Sequence, residues 1–149
     1  MSISTKTGDN GETSLFNGNR ISKSSCNIDS FGSVDELNSM LGLIQSKTFS
    51  EKLKNEITII QNELFVVGAD LATPENTRET KRVQEKHLVR IDNKVDEYEE
   101  QLELTGFVLP TGTEIASLLH IARTQARRAE RKIVQLAENE EINPLLIKY

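Results

Sequence analysis

Between Ser50 and Leu71, apolar side chains recur at Leu53, Ile57, Ile60, Leu64, Val67 and Leu71, in alternating steps of four and three residues. That spacing places all six on one stripe of an α-helix, whereas a strand would scatter them over both faces. A single amphipathic helix is marginal in water, so the stripe needs partners. Three other segments offer them. Val34, Leu37, Leu41 and Ile44 follow Ser33 and Glu36, a pair with capping-box spacing that predicts a helix beginning at residue 33. Leu88, Ile91, Val95, Tyr98 and Leu102 predict a third helix over about 81–104. Ile115, Leu119, Ala122, Ala126, Ala129 and Ile133 predict a fourth over about 114–138. Thr73-Pro74-Glu75-Asn76 stops the second helix, and Pro144 suits the first turn of a short fifth that runs to Tyr149. Four or five amphipathic helices with short links and no strand pattern specify an all-α, up-and-down bundle. The links are too frequent for a coiled-coil assembly.

A chain of 149 residues with 36% apolar side chains reads as one domain over 1–149 with a substantial core. The bundle, of ferritin-like architecture, occupies 33–149. Residues 1–32, rich in Gly, Ser, Thr and Asn, read as an irregular loop segment that orders on binding. The single Cys26 cannot form an internal disulfide, which predicts a reducing compartment. Met1 to Asn10 is polar and lacks the apolar core of a signal peptide. No apolar run approaches the roughly 20 residues that span a bilayer. The expected setting is therefore the cytoplasm, away from membrane. A net charge of −5 argues against non-specific binding to nucleic acid. A di-iron bundle needs repeated Glu-x-x-His pairs, and a structural zinc site needs a Cys/His cluster; neither pattern is present, so no protein metal-ligand set is assigned.

The positive charge is concentrated in one predicted helix. The run from His120 to Arg131 carries Arg123, Arg127, Arg128, Arg131 and Glu130 within its last nine residues. At 100° per residue, Arg123, Arg127 and Arg131 share one stripe beside the apolar seam, and Glu130 lies about 20° from Arg123. Like charges stacked at i,i+4 destabilise a helix unless an anion or a carboxylate neutralises them. Two readings stand: a solvated face with Glu130 as an intrahelical partner, or a clamp for a triphosphate. Guanidiniums suit the second, being planar and permanently charged. His120, on the flank of the stripe, reads as structural, and His87 receives no role.

Three further features carry chemistry. In Thr5-Lys6-Thr7-Gly8-Asp9-Asn10-Gly11-Glu12-Thr13-Ser14, two glycines three apart free the backbone to turn its amides toward an anion. Lys6 and the hydroxyls add donors, and Asp9 could hold a hydrated Mg²⁺ beside phosphates. The run lacks a Walker ending, so a flexible tail and a phosphate loop both remain open. Asp35 and Asn38 lie off the apolar seam of the first helix, where they either face water or meet an arginine. Phe107, in the loop Thr105–Thr113 bounded by Gly106, Pro110 and Gly112, is a core plug or a lid over a ligand, and composition alone favours the plug.

Together these segments resemble the PduO-type ATP:cob(I)alamin adenosyltransferases. The resemblance rests on Thr5-Lys6-Thr7-Gly8-Asp9-x-Gly11, Arg20-x-x-Lys23 and Gly32-x-Val34-Asp35-Glu36-Leu37-Asn38. It continues through Phe107-x-Leu109-Pro110 and His120-x-Ala122-Arg123-x-x-x-Arg127-Arg128-Ala129-Glu130-Arg131, in the family's order over nearly the whole chain. It implies a homotrimer of helical bundles with active sites between subunits. It also implies transfer of the 5′-deoxyadenosyl group of ATP to cob(I)alamin, forming adenosylcobalamin and triphosphate, with Mg²⁺ accompanying ATP.

By position, the ATP loop of the family falls on Thr5, Lys6, Thr7, Gly8, Asp9, Gly11, Thr13, Ser14 and Lys23. The Arg-Arg-Ala-Glu-Arg run points to Arg127, Arg128, Glu130 and Arg131, and Asn38 is grouped with these binding residues. The family's ion pair across the subunit boundary would join Asp35 to Arg123. Its loop phenylalanine, beneath the corrin, corresponds to Phe107, which turns the plug reading into a functional one. Removal of the lower axial ligand eases reduction of cob(II)alamin, and an apolar ring on that face excludes water. The resemblance further implies a flavoprotein reductase and an adenosylcobalamin-dependent acceptor enzyme as partners. Three departures stand out. Asn10 replaces a common lysine, Thr111 replaces a small residue, and the last helix, which in the family continues past Lys148-Tyr149, is short here. The alternatives are a non-catalytic ATP-sensing bundle, which would need no Phe107 facing a corrin, and a nucleic-acid-binding helix, which the acidity opposes.

Overall fold

The computed structural model describes residues 6–73, 80–103 and 105–149. Five helices carry the fold: α1 (Cys26–Lys47), α2 (Glu51–Leu71), α3 (Glu85–Glu99), α4 (Glu114–Ala137) and α5 (Leu145–Lys148). They follow an antiparallel ribbon of β1 (Glu12–Ser14) and β2 (Arg20–Ser22). α1 is central, packed along both α4 and α2. The expected stripes supply most of the core: Val34, Leu41 and Ile44 from α1, Ile57, Leu64, Val67 and Leu71 from α2, and Ala122, Ala129 and Ile133 from α4, joined by Leu136, whereas Leu119 and Ala126 of the predicted α4 seam are exposed. Leu146 of α5 completes it. The all-α bundle expected from periodicity is therefore the observed architecture.

Three helices begin on side-chain caps. Ser25, Ser50 and Thr113 accept hydrogen bonds from the amides of Ile28, Leu53 and Ala116. Each cap satisfies one of the four free N–H groups of a helix start.

Three expectations are corrected. α1 begins at Cys26, two turns before the predicted start at residue 33. The face it buries in those turns is Asn27, Ser30 and Ser33, small polar residues that carry no hydrophobic signal. Ser30 Oγ donates to the carbonyl oxygens of Cys26 and of Lys132 on α4, which lets the two backbones approach closely. Ser33 donates to the Asp29 carbonyl and caps nothing, while Glu36 pairs with Arg128.

The second correction is the ribbon, in the stretch read as lacking regular structure. Glu12 pairs with Ser22, Thr13 with Ile21 and Ser14 with Arg20. Its three-residue strands are too short to show apolar alternation, and Gly18, at φ +84°, reverses the chain between them. Third, α3 spans 85–99, shorter than the expected 81–104, and Leu104 lies outside the described residues, as do Pro74, Glu75 and Asn76. Val95, Tyr98 and Leu102 of its predicted seam are exposed. Val95 and Tyr98 border an open apolar space of about 700 Å³ between α2 and α3.

Candidate active site

Two cationic patches stand out. The first is the loop before the ribbon. Lys6 adopts a left-handed backbone at φ 56° and Gly11 another at φ +82°, conformations that cost a non-glycine residue about 1 kcal/mol or more. Tight turns close it: the Asp9 amide donates to the Lys6 carbonyl, Gly11 to Gly8, and Lys23 to Gly11.

Arg20 fixes this loop from the second strand. Its guanidinium donates to the Thr7 carbonyl at 2.7 Å and to Ser14 Oγ at 3.3 Å, and its Nε lies 3.6 Å from a Glu12 carboxylate oxygen. Gly8 eases the close approach of loop and ribbon, because a Cβ there would stand 3.1 Å from the Glu12 carbonyl oxygen. Lys23 Nζ lies beside Gly8, with no ion pair among the described residues. Lys6, Thr7, Gly8, Asp9, Gly11, Thr13, Ser14 and Lys23 thus share one short stretch of loop and ribbon, while Thr5 lies outside the described residues. Sequence alone assigns Arg20 no role; its place in the Arg20-x-x-Lys23 pattern is the available signal.

The second patch is α4. Its small and apolar side chains face α1, and the register is locked by polar ties. Arg128 pairs with Glu36, Lys132 Nζ with Asp29 Oδ2 at 2.7 Å, and Asn27 Nδ2 donates to Glu140 Oε2 at 2.9 Å. These ties turn Arg123, Arg127 and Arg131 outward, all three exposed and with no ion pair among the described residues. Glu130 also forms none, so the intrahelical partner reading is not what the helix does. The like-charged stripe therefore stands uncompensated among the described residues. Arg127 and Glu130 border a cavity of about 280 Å³ floored by Leu64, Val67, Ala129 and Ile133.

Among the described residues, no hydrogen bond or ion pair joins the Lys6–Lys23 loop to Arg123, Arg127 or Arg131. Asp35 is exposed on α1 and has no ion pair among the described residues, while its neighbour Glu36 pairs with Arg128 of α4. Beside Asp35, Asn38 is only 7% exposed, and its Oδ1 finds no donor. Asn38 Nδ2 and the Gln61 side chain exchange long hydrogen bonds with each other's backbone carbonyls across α1 and α2. A groove of about 300 Å³ lies there, lined by Asp35, Asn38, Gln61, Asn62 and Phe65.

Phe107 is no core plug. It is fully exposed, with Val108 and Leu109 beside it, on a loop whose far end is fixed by the Thr113 cap and by the Lys47–Glu114 ion pair. His87 gains a structural role: its Nδ1 accepts the Gln84 amide at the start of α3.

The fold and site define a helical bundle that presents a turn-rich cationic loop, an arginine stripe with no ion pair among the described residues and an exposed aromatic. Comparison with known proteins makes the class specific. Residues 3–149 match the family model described as cobalamin adenosyltransferase. The chain is 42% identical to the corrinoid adenosyltransferase of Bacillus subtilis over its whole length, covering 79% of that protein. It is 37% identical to corrinoid adenosyltransferase PduO of Salmonella typhimurium, of which it spans 45%. A solved Lactobacillus reuteri PduO-type ATP:corrinoid adenosyltransferase, a phenylalanine-to-alanine variant complexed with cobalamin and ATP, superposes with a TM-score of 0.93 at 40% identity, covering 99% of this chain and 84% of that one. This chain belongs to the cobalamin adenosyltransferase family.

Proposed function

We propose that the protein transfers the 5′-deoxyadenosyl group of ATP to cob(I)alamin. The observation that carries this reading is the arginine stripe of α4, left without counter-ions beside an apolar cavity in a chain of this family. Cob(I)alamin is itself a strong nucleophile, so the protein needs no nucleophilic side chain. The cobalt–C5′ bond forms as the C5′–O bond breaks, and triphosphate leaves with the electron pair. Arg127 and Arg131, with Lys6 and Lys23 from the loop, stabilise the charge that builds on that leaving group. Arg128 keeps N–H donors beyond those used by Glu36 and adds to the same field.

The Gly8 and Asn10 amides, which the turn's internal hydrogen bonds do not use, cradle phosphate oxygens, and Thr5, Thr7, Thr13 and Ser14 add hydroxyl donors. Mg²⁺ fits here as the companion of the triphosphate. Asp9 is an exposed carboxylate with no ion pair among the described residues, and Mg²⁺ needs only one or two carboxylates because it keeps several waters. The ion would supply charge neutralisation on the phosphates. Alignment of the two substrates accounts for much of the remaining acceleration.

The loop and the arginine stripe form separate patches within one chain, which supports a site completed by a neighbouring subunit, in a homotrimer. Asp35 of one subunit would then meet Arg123 of the next, and the unsatisfied Asn38 Oδ1 beside Asp35 would gain a donor. Phe107, held out in solvent, covers the lower face of the corrin and excludes water. A cytoplasmic setting, with a flavoprotein reductase to supply Co(I) and an acceptor enzyme to take the product, follows from the same reading. No described helix is long and apolar enough to cross a membrane. Anaerobic mixing with reduced cob(I)alamin, ATP and Mg²⁺ tests the proposal. Conversion to a light-sensitive alkylcobalamin is expected, and its absence at enzyme excess would refute it.

A further inference from the structure

We infer that Lys148 is a phosphate contact of the nucleotide site, held there by two α2 carboxylates that clasp the 143–149 segment to the bundle. The inference rests on the nucleotide reading above. Glu63 and Asp70 are seven residues apart, two helical turns, and so lie on one face of α2. The Asp70 side chain is fully buried and accepts three hydrogen bonds: from Arg82 Nη1 at 2.6 Å, the Val83 amide at 2.9 Å and Asn143 Nδ2 at 2.8 Å. Asn143 Oδ1 in turn accepts the Leu145 amide at 3.1 Å, which sets the start of α5.

Glu63 forms the second fixing point. It accepts both a fork from Arg90 and the Tyr149 hydroxyl at 2.9 Å. Burial alone would raise the Glu63 carboxyl, but these donors outweigh it and leave it below its ordinary value. Burial, reinforced by the Glu63 charge, pushes the Tyr149 hydroxyl up, so Tyr149 stays a neutral donor at working pH.

Between these points Leu146 is buried in the core. Residues 143, 146 and 149 therefore point inward at three-residue steps, and Ile147 and Lys148 are left exposed. Lys148 and Arg127 border the same cavity of about 280 Å³, with Glu130 on the same rim. Neither cation has an ion pair among the described residues. Two uncompensated cations at one mouth suit a polyphosphate, and the lysine supplies a mobile point charge beside a planar guanidinium.

Titration calorimetry with MgATP on the full chain tests this, with thermal unfolding recorded for each variant. Lys148→Ala is expected to weaken ATP binding about tenfold, the low end for loss of a charged hydrogen bond, with the melting temperature unchanged. Lys148→Arg should restore binding to within about threefold of wild type. Tyr149→Phe, which frees the segment without touching the ligand, should weaken ATP binding and raise KM for ATP more than it lowers kcat. Lys54→Ala, at an exposed ion pair with Glu51 near the start of α2, should change none of these. ATP affinity unchanged within twofold in Lys148→Ala would overturn the assignment even if wild type alkylates cob(I)alamin, leaving the adenosyltransferase reading intact. Failure of wild type to bind ATP at all would overturn both.

Discussion

Replacing Asp70 by alanine is the sharpest perturbation of the fold. The carboxylate has no solvent exposure, while Arg82 is 24% exposed. Removing it leaves the Val83 amide and one Asn143 N–H without their acceptor and takes from Arg82 its buried counter-charge. Breaking a buried ion pair from one side typically costs 3–5 kcal/mol, and partial hydration of Arg82 places this case near the lower end, at about 3 kcal/mol. For a domain of this size each kcal/mol shifts Tm by roughly 2–4 °C, so a drop of about 6–12 °C is expected. Thermal unfolding followed by circular dichroism at neutral pH reads it directly. Arg82→Ala should cost less, because the carboxylate keeps two N–H donors, and the double variant should be markedly less destabilised than the sum. A Tm within about 2 °C of wild type for Asp70→Ala, or strict additivity with Arg82→Ala, would refute the clasp.

Other expectations follow from exposure, charge and titration. Phe107→Ala removes a side chain that buries nothing in the chain, so its unfolding free energy should stay within about 0.5 kcal/mol of wild type; adenosyl transfer should nonetheless fall steeply, measured as cob(I)alamin loss in the two proteins side by side. Arg127→Ala should weaken MgATP binding by about ten- to a hundredfold, the range for a lost hydrogen bond to a charged group, with Tm barely altered, and calorimetry with unfolding checks both. Because the folded Glu63 carboxyl lies below its unfolded value, its contribution is present above about pH 4.5 and is lost as pH falls through the folded value. Glu63→Gln should therefore flatten the acid limb of stability against pH, and an unchanged limb in urea titrations from pH 7 to pH 3 would contradict the assignment.

What was legible in the sequence follows from which forces leave a periodic trace. α2 and α4 bury apolar stripes, and Ile57, Leu64, Val67, Ala122, Ala129 and Ile133 lie where their spacing placed them. The first two turns of α1 were hidden because Asn27, Ser30 and Ser33 bury hydrogen-bonding groups, so the hydrophobic pattern begins only at Val34. The arginine stripe was legible because charge at four-residue spacing is as periodic as a core. Its freedom from counter-ions was not, since Glu36 of α1 takes Arg128 and leaves Arg127 without an ion pair among the described residues. The Asp70 and Glu63 contacts were illegible for another reason. Each joins residues far apart in the chain through side-chain geometry, and no local pattern marks either. Arg20 lies between these cases: its place in the Arg20-x-x-Lys23 motif could be read, but its bond to the Thr7 carbonyl depends on a turn that only the fold reveals.

One measurement reaches the central claim most directly. Chemically reduced cob(I)alamin, MgATP and the protein are combined without oxygen, and the Co(I) absorbance is followed while triphosphate is quantified. Adenosyl transfer predicts ATP-dependent loss of Co(I), one triphosphate per corrinoid converted, and a product that photolyses. Tight ATP binding with stable Co(I) absorbance and no triphosphate would contradict it and identify a bundle that binds the nucleotide without reacting it.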